Sequence, residues 1–369
     1  KGKINLFVDK KKIESIKNYL QPLVNIYSFD EIDQYFEKLD LNKIIGMDEN
    51  QTSYRFKKNC DKIKLKIKIY NNPCILSKAV KNLVELNGAR NANARDGISI
   101  CKFLFWLKNL TILNKINEIK ASDYLYNLRK NNKFFYSLSF DTISAFGPHA
   151  SLPHYRVTKN SNLTFKNDSI YLIDSGGQYY DGTTDITRTI VIGTPTNIQK
   201  DRFTRVLKGH IAIAKAIFKK NTKGSELDSL ARKSLKEIGC DYDHGTGHGI
   251  GSFLSVHEGP QRIAKSQGQS DGFIKKGMIL SNEPGYYEEG KYGIRIENLI
   301  ICCSKNTDLL YFETISFAPI DKDLIDTSIL EDGEKEWINQ YHQKVYDIIS
   351  PNLNTQERKW LYQVSRPIK

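Results

Sequence analysis

Between Ile4 and about Asn72, short β-like runs alternate with helical ones. INLFVD, NIYSF, KIIGM and KLKIKIY read as strands, whereas Lys10 to Leu20 and Asp30 to Leu39 read as helices. That alternation predicts a βα unit of a small α/β domain, incomplete at its start. Asn71, Asn72 and Pro73 supply a turn, and helical patterns follow from about Ser77 to Asn93 and from Asp96 to Leu107. The apolar stretch from Ile98 to Leu107 is interrupted by Ser99 and Lys102. It falls well short of the ~20 residues that cross a bilayer and reads as a buried helix. The domain boundary is placed at the turn, giving residues 1–72 and 73–369.

Beyond the boundary, β segments come in pairs joined by turn signals. SIYLIDSGGQYY pairs with DGTTDITRTIVIG, and MILSNEPGYYEEG with YGIRIENLIICC, with Asp181-Gly182 and Gly290 as turn residues. Helices are expected between them, from Asn197 to Phe218 and from Glu226 to Ile238, followed by a His-rich segment. The order hairpin, helices, hairpin suggests a weak internal duplication, and no solenoid-type repeat is present.

Composition changes this picture little. Hydrophobic residues at 40% and aromatics at 11% describe a globular chain. The net charge of +13 raises the question of nucleic acid, but the Lys residues are scattered among Asn and Ile with acidic residues interleaved. With no basic stripe and no nucleic-acid motif, the charge reads as solvated surface, and neither nucleic acid nor membrane is expected as a partner. The six cysteines form no CxxC pair and read as reduced, buried thiols. The chain opens Lys-Gly-Lys, without Met or a secretory segment, so nothing marks it for export and a cytoplasmic protein is expected. The Asn-x-Ser/Thr sequons at Asn50, Asn109, Asn162 and Asn167 are of the kind chance produces in an Asn-rich chain.

The chemistry lies in the two hairpins. Glu283 and Glu297 are fourteen positions apart with Gly290 midway, so a turn there sets them directly opposite on one face. Asp174 and Asp185 are eleven apart. A tip near Tyr179 and Tyr180 would set them opposite, a turn at Asp181-Gly182 would offset them, and a bulge near Gly176-Gly177 could settle the difference. Any one of these carboxylates, or any single His, is more often a cap, turn or core residue than a ligand. Four carboxylates on inward faces, however, would repel one another unless a cation compensated them. The segment HGTGHGIGSFLSVHEGP adds His244, His248 and His257. Nitrogen among oxygen ligands favours Mn, Co, Zn or Fe over Mg or Ca. Four carboxylates and one His suit two divalent ions about 3.5 to 4 Å apart that supply hydroxide at neutral pH, which is hydrolase chemistry.

At these residues the chain resembles a known family. IDSGGQYYDGTTDITRT, HGTGHGIGSFLSVHEGP and SNEPGYYEEGKYGIRIEN look like the signature of the metal-dependent pita-bread peptidases, in particular the large aminopeptidase P branch. NPCILSKAVKN and EKEWINQYHQKV resemble the same branch. The resemblance implies an α+β fold: a pita-bread catalytic domain over 73–369 preceded by part of a smaller creatinase-like α/β domain. It implies metal ligands Asp174, Asp185, His248, Glu283 and Glu297, with Asp185 and Glu297 bridging, and ions that are most simply Mn, with Zn or Co as alternatives. It assigns His154, His244 and His257 to the active site, supported by Arg295 and Tyr287. His257 would be a proton shuttle, and His154 and His244 would stabilise an oxyanion or line a proline pocket.

The implied reaction is hydrolysis of the N-terminal Xaa-Pro bond of a peptide by a metal-bridged hydroxide, with Glu283 orienting or deprotonating the nucleophile. A homodimer is implied as well. Large relatives carry two creatinase-like domains, of which the first is absent here and the second partial. Prolidase and methionine aminopeptidase are rival readings on the same fold, and a binding module that had lost its ligands is a third. His149, His210 and His342 fit no motif and are read as structural, although His149 sits in a loop, FGPHASLPHY, where a substrate contact is conceivable.

Overall fold

Each apolar run of the first seventy residues becomes a strand in the computed structural model, which describes residues 4–110, 113–265 and 272–369. The chain divides into two units, Lys1–Cys74 and Ile75–Lys369. In the first, strand β1 (Ile4–Phe7) pairs in parallel with β2 (Val24–Tyr27), and β3 (Ile44–Met47) with β4 (Lys66–Ile69). Parallel neighbours need a crossover, and helices supply it. Between β1 and β2 run the 3-10 helix Lys10–Ile16 and α1 (Lys17–Leu20); α2 (Ile32–Glu37) links the two pairs, and α3 (Tyr54–Lys62) crosses from β3 to β4. Ile32, Phe36, Met47, Cys60 and Leu65 form the core of this unit.

The chain passes from one unit to the other inside a short helix, α4 (Pro73–Ala79), and then enters α5 (Leu83–Lys108). Here the structure departs from the expected helices. The break falls at residues 80–82, not near Ala94 and Arg95, and α5 runs through without interruption. Asn82 is the reason: its side chain accepts from the Glu85 amide, and Glu85 accepts from the Asn82 amide. This reciprocal capping box starts a helix, whereas Ala94-Arg95 contains nothing to stop one.

Helix α6 (Glu118–Lys130) leads to β5 (Phe135–Leu138) and β6 (Ile143–Phe146). The first expected hairpin follows as β7 (Ser169–Ser175), β8 (Gly177–Tyr179), β9 (Gly182–Thr183) and β10 (Ile186–Ile192). Its tip is Tyr180-Asp181, because Tyr179 pairs with Gly182, so Gly182 already belongs to the returning strand. Helix α7 (Asn197–Ala214) ends earlier than expected. Ile217 and Phe218 leave it to form β11 (Ile217–Lys219), and α8 (Gly224–Lys236) follows.

The short strands β12 (Gly247–His248) and β13 (Arg262–Ile263) pair with each other. The second hairpin comprises β14 (Ile279–Asn282), β15 (Gly285–Glu288), β16 (Tyr292–Arg295) and β17 (Asn298–Ser304), followed by β18 (Leu309–Thr314). The sheets run β10-β7-β6 and β11-β18-β17-β14. Two helices, α9 (Asp332–Ile349) and α10 (Thr355–Val364), close the chain.

The largest core packs Phe103 and Leu107 of α5, Phe203 and Leu207 of α7, and Ile338 and Val345 of α9 against Tyr171, Ile173 and Ile190 of the first hairpin. A second core joins Leu227 and Ala231 of α8 to Leu280, Ile300 and Phe312. Both hairpins are thus held from behind, with their carboxylate-bearing faces turned the other way. All six cysteines are free; contrary to the expectation that all would be buried, Cys74 is exposed, on the first turn of α4, and Cys240 and Cys303 are half-buried. Among the described residues no helix is long and apolar enough to cross a membrane.

Candidate metal centre

Hairpin register decides which carboxylates meet. In the second hairpin Asn282 pairs with Asn298, and Gly285 with Arg295. Both pairs fit one continuous register around Gly290, whose φ is +69°. That register sets Glu283 opposite Glu297, as the spacing predicts. In the first hairpin Asp174 pairs with Thr187, two residues beyond Asp185, so the pair is offset, by a tip at Tyr180-Asp181 that lies between the two positions the sequence offered. No bulge is needed. Asp174 and Asp185 still share a face, because an offset of two preserves side-chain direction. Gly176 permits the strands to close up, since a Cβ there would lie 1.9 Å from the Thr184 carbonyl oxygen.

The two hairpins are joined by Thr187. Its carbonyl accepts from the Glu297 amide at 3.2 Å, and its hydroxyl donates to Glu297 Oε2 at 2.7 Å. Glu283 accepts from Ser281 Oγ at 3.0 Å, and its amide donates to the Thr246 carbonyl at 2.7 Å. His248 enters from β12, held by its amide on Ser281 Oγ. Its Nδ1 donates to the Gly249 carbonyl at 3.1 Å, which turns Nε2 toward Asp185 Oδ2 at 3.5 Å and Glu283 Oε1 at 3.4 Å. Single ligand atoms of Asp185, His248 and Glu297 all lie within 4.8 Å of one another.

A cavity of about 350 Å³ opens over these groups and is lined by every residue the sequence proposes for the site except Tyr287. Tyr287 lies behind it. Arg295 Nη1 donates to Tyr287 Oη at 2.6 Å, and Tyr287 Oη lies 2.8 Å from His244 Nε2. His244 Nδ1 faces the Gly245 carbonyl at 2.8 Å, so the tyrosine donates and the imidazole accepts. Burial, with Arg295 nearby, pushes the His244 pKa down to about 3 and keeps the ring neutral. His257 stands at the rim with its ring centroid 4.2 Å from that of His248. Burial first, then His248 and His154, lower its pKa.

Electrostatics test whether cations fit here. Burial, followed by repulsion from neighbouring carboxylates, pushes Asp185 and Glu297 well above the ordinary carboxylate range, and burial raises Glu283 as well. Asp174 Oδ1 and Asp185 Oδ1 are buried without any hydrogen-bond partner. Orphaned acceptors, crowded carboxylates and an imidazole lone pair aimed among them form a donor set that divalent cations satisfy.

Comparison with known proteins agrees with this geometry. The model of metallopeptidase family M24 matches residues 87–303, and that of the C-terminal region of peptidase M24 matches residues 308–368. The chain belongs to metallopeptidase family M24. Residues 1–85 match the creatinase/prolidase N-terminal domain, so the expected fold, a pita-bread domain behind a creatinase-like one, holds.

A probable Xaa-Pro aminopeptidase P of Coccidioides posadasii is 39% identical over 98% of this chain and 62% of its own length. Among solved structures, the X-prolyl aminopeptidase of Caenorhabditis elegans, described as a cytosolic enzyme with a di-nuclear active site, matches with a TM-score of 0.86. It is 33% identical over 99% of this chain and 62% of that one. The Xaa-Pro dipeptidase of Bacillus anthracis matches with a TM-score of 0.70, at 26% identity over 85% of this chain and 84% of that one. This M24 chain therefore spans 62% of the length of the first two relatives.

Several cavity residues escaped the sequence reading. Phe140, Ile143 and Pro153 form an apolar wall, and Arg262, the ladder partner of His248, lines the cavity with a buried Nη2 that has no partner. Nothing in their local pattern distinguishes them from core or surface residues. His149, by contrast, pairs with Glu118 at 2.9 Å and stacks on Tyr155, away from the cavity lining.

Proposed function

We propose that this chain carries the catalytic domain of an Xaa-Pro aminopeptidase, which hydrolyses the bond between the first residue of a peptide and a following proline. The observation that carries the reading is the convergence of four carboxylates and His248 Nε2 on one cavity, with buried, unpartnered oxygens on Asp174 and Asp185. Asp174, Asp185, His248, Glu283 and Glu297 would hold two divalent ions. Mn is the first choice, with Zn and Co as alternatives. When bound, such ions supply Lewis acidity that activates water and polarises a carbonyl.

The chain's own residues supply positioning and proton transfer. Glu283, anchored by Ser281, is suited to take a proton from the attacking water. His257, which lines the cavity beside His248, passes a proton to the departing prolyl nitrogen. Arg295 and Tyr287 hold Asp174 and His244 in place, and His154 and His244 line the cavity. Phe140, Ile143 and Pro153 offer an apolar surface to the proline ring. Arg262 offers its guanidinium to the carboxylate end of a short peptide. Residues 1–72 form the creatinase-like part and 73–369 the catalytic part of a cytoplasmic homodimer. Sedimentation at micromolar concentration checks the dimer: a monomer alone rejects it.

The deciding experiment uses metal-stripped protein reconstituted with one metal at a time. Elemental analysis is expected to find two ions per chain, and Xaa-Pro-Yaa peptides are expected to be cleaved faster than Xaa-Pro or Met-Ala-Yaa. Preference for Xaa-Pro would make the enzyme a prolidase, and preference for Met-Ala-Yaa a methionine aminopeptidase. Two bound ions with no turnover of any peptide would leave a binding module.

A further inference from the structure

Arg188, on β10, is 2% exposed, and its six hydrogen bonds all go to neutral acceptors. Nη1 donates to the Thr187 carbonyl at 2.8 Å and to the Glu297 carbonyl at 2.7 Å. Nη2 donates to Asn298 Oδ1 and to Tyr341 Oη, each at 2.8 Å. Burying a guanidinium without a carboxylate partner is costly, and an apolar side chain would serve the fold alone better. The reward must lie in what the fork holds.

What it holds leads across the second hairpin. Asn298 Nδ2 donates to His210 Nε2 at 3.0 Å, and His210 Nδ1 donates to the Asn282 carbonyl at 3.1 Å. Asn282 Nδ2 in turn donates to the His210 carbonyl at 2.9 Å. His210 comes from α7 and is fully buried. Asn282 and Asn298 are ladder partners, and each is the chain neighbour of one carboxylate of the centre, Glu283 or Glu297. The path Arg188, Asn298, His210, Asn282 is therefore a brace one step behind the carboxylate pair. It is fastened to the backbone on both strands.

We infer that Arg188 and His210 are positioning residues of the metal centre, which hold Glu297 and Glu283 at the separation that metal binding requires by bracing the flanking asparagines. The inference rests on reading Glu283 and Glu297 as metal ligands. A residue behind a ligand typically controls affinity by about 10- to 100-fold when removed.

The test is metal affinity of the full chain without substrate, by equilibrium dialysis against Mn²⁺ and by the visible spectrum of the Co²⁺-loaded protein. His210→Phe keeps ring size but makes neither bond; His210→Gln keeps one donor and one acceptor; Arg188→Lys keeps the charge and loses the fork. His210→Phe and Arg188→Lys are expected to weaken binding by about 10- to 100-fold and shift the Co²⁺ spectrum, with His210→Gln restoring most of both. A merely structural role would lower the melting temperature and leave affinity and spectrum of the folded fraction unchanged, which would overturn the inference. If His210→Phe does not fold, Arg188→Lys and His210→Gln decide it: both at wild-type affinity sinks the idea, while a weakened Lys variant beside a near-normal Gln variant supports it. A wild-type protein that takes up no divalent ion overturns the underlying metal reading instead.

Discussion

Arg295 Nη2 lies 2.6 Å from Asp174 Oδ2, with the two side chains only 3% and 10% exposed. The contact fixes the carboxylate's orientation, because it occupies Oδ2 and leaves Oδ1, which has no partner, for the cavity. The other arm of the same fork holds Tyr287. One guanidinium thus orients Asp174 and, through tyrosine, His244. A lysine ammonium could not do both from this position.

Arg295→Lys is accordingly expected to lower the turnover of Xaa-Pro-Yaa peptides by about 10- to 100-fold. Arg295→Met removes a buried cation from a cluster of four carboxylates. Its cost should be largest when no metal compensates the cluster. Melting temperatures in chelator and in saturating Mn²⁺ check this, the deficit shrinking in metal. An equal deficit in both would rule out charge compensation.

Arg262 gives a prediction about substrates. Its buried Nη2 has no partner and its ladder neighbour is His248, so a peptide carboxylate is a fitting counterion. Arg262→Met should raise KM for short peptides with a free C-terminus and leave their C-terminal amides nearly unaffected, with kcat little changed. Equal effects on acids and amides would show that Arg262 does not read the carboxylate.

Backbone packing makes a third prediction. A Cβ on Gly88 of α5 would lie 2.0 Å from the Asp181 carbonyl oxygen at the tip of the first hairpin. Alanine gains about 1 kcal/mol of helix propensity over glycine, but overpacking against rigid backbone costs about 1 to 3 kcal/mol or more. Gly88→Ala should therefore be net destabilising. At Gly333 on α9 the nearest atom is Lys215 Nζ at 3.1 Å, a flexible end that can move aside. Gly333→Ala should be neutral or stabilising, and urea unfolding of the pair compares the two sites.

The parts of the site that were legible in the sequence are those fixed by strand arithmetic. Glu283 and Glu297 could be set opposite because Gly290 stands midway and the register never slips. The Asp174 and Asp185 pair could not, since local turn signals offered tips at Tyr179-Tyr180 and at Asp181-Gly182, and the Tyr179 to Gly182 pairing puts the tip between them. Helix ends were misplaced where a cap outweighed the periodicity, as at Asn82. Arg188 and His210 were invisible for a different reason. Their partners lie at sequence distances of 72 to 153 residues, apart from the adjacent Thr187, and no local pattern marks a buried polar brace.

Stability should fall on acidification through a buried histidine. His342 is fully buried, its Nε2 accepts from the Ile320 amide, and burial, then Lys322 and Arg188, lower its pKa from 6.5 to about 3. The unfolded chain takes up that proton near pH 6.5 and the folded one only near 3. The stabilising contribution is thus complete above about pH 6.5 and lost as pH falls toward 3, at up to about 1.4 kcal/mol per pH unit. His342→Gln, which keeps an acceptor but does not titrate, should reduce the loss of urea resistance between pH 7 and 4.5, the remainder coming from His210 and His244, which burial also lowers to about 3. An unchanged slope would mean that His342 is not a source of it.

The last prediction separates metal binding from proton transfer, using two rings that touch. His248 and His257 stand edge to face at 4.2 Å, yet only His248 Nε2 points among the carboxylates, 3.4 Å from Glu283 and 3.5 Å from Asp185. His248→Ala removes the one nitrogen donor of the set, so metal affinity and activity should fall together, and excess metal should restore part of the rate. His257→Ala should leave both ions bound. It should slow the step that protonates the departing prolyl nitrogen, by about 10²- to 10⁴-fold, and added metal should not help. Proline sharpens the distinction, because its tertiary amide nitrogen leaves as a basic secondary amine that must acquire a proton. Metal content and single-metal titrations of rate, measured on both variants, decide the matter. If His257→Ala loses metal, or turns over Xaa-Pro-Yaa peptides at a near-normal rate, the shuttle lies elsewhere. His154, the other imidazole lining the cavity outside the metal-ligand set and the Tyr287 contact, is then the next residue to replace.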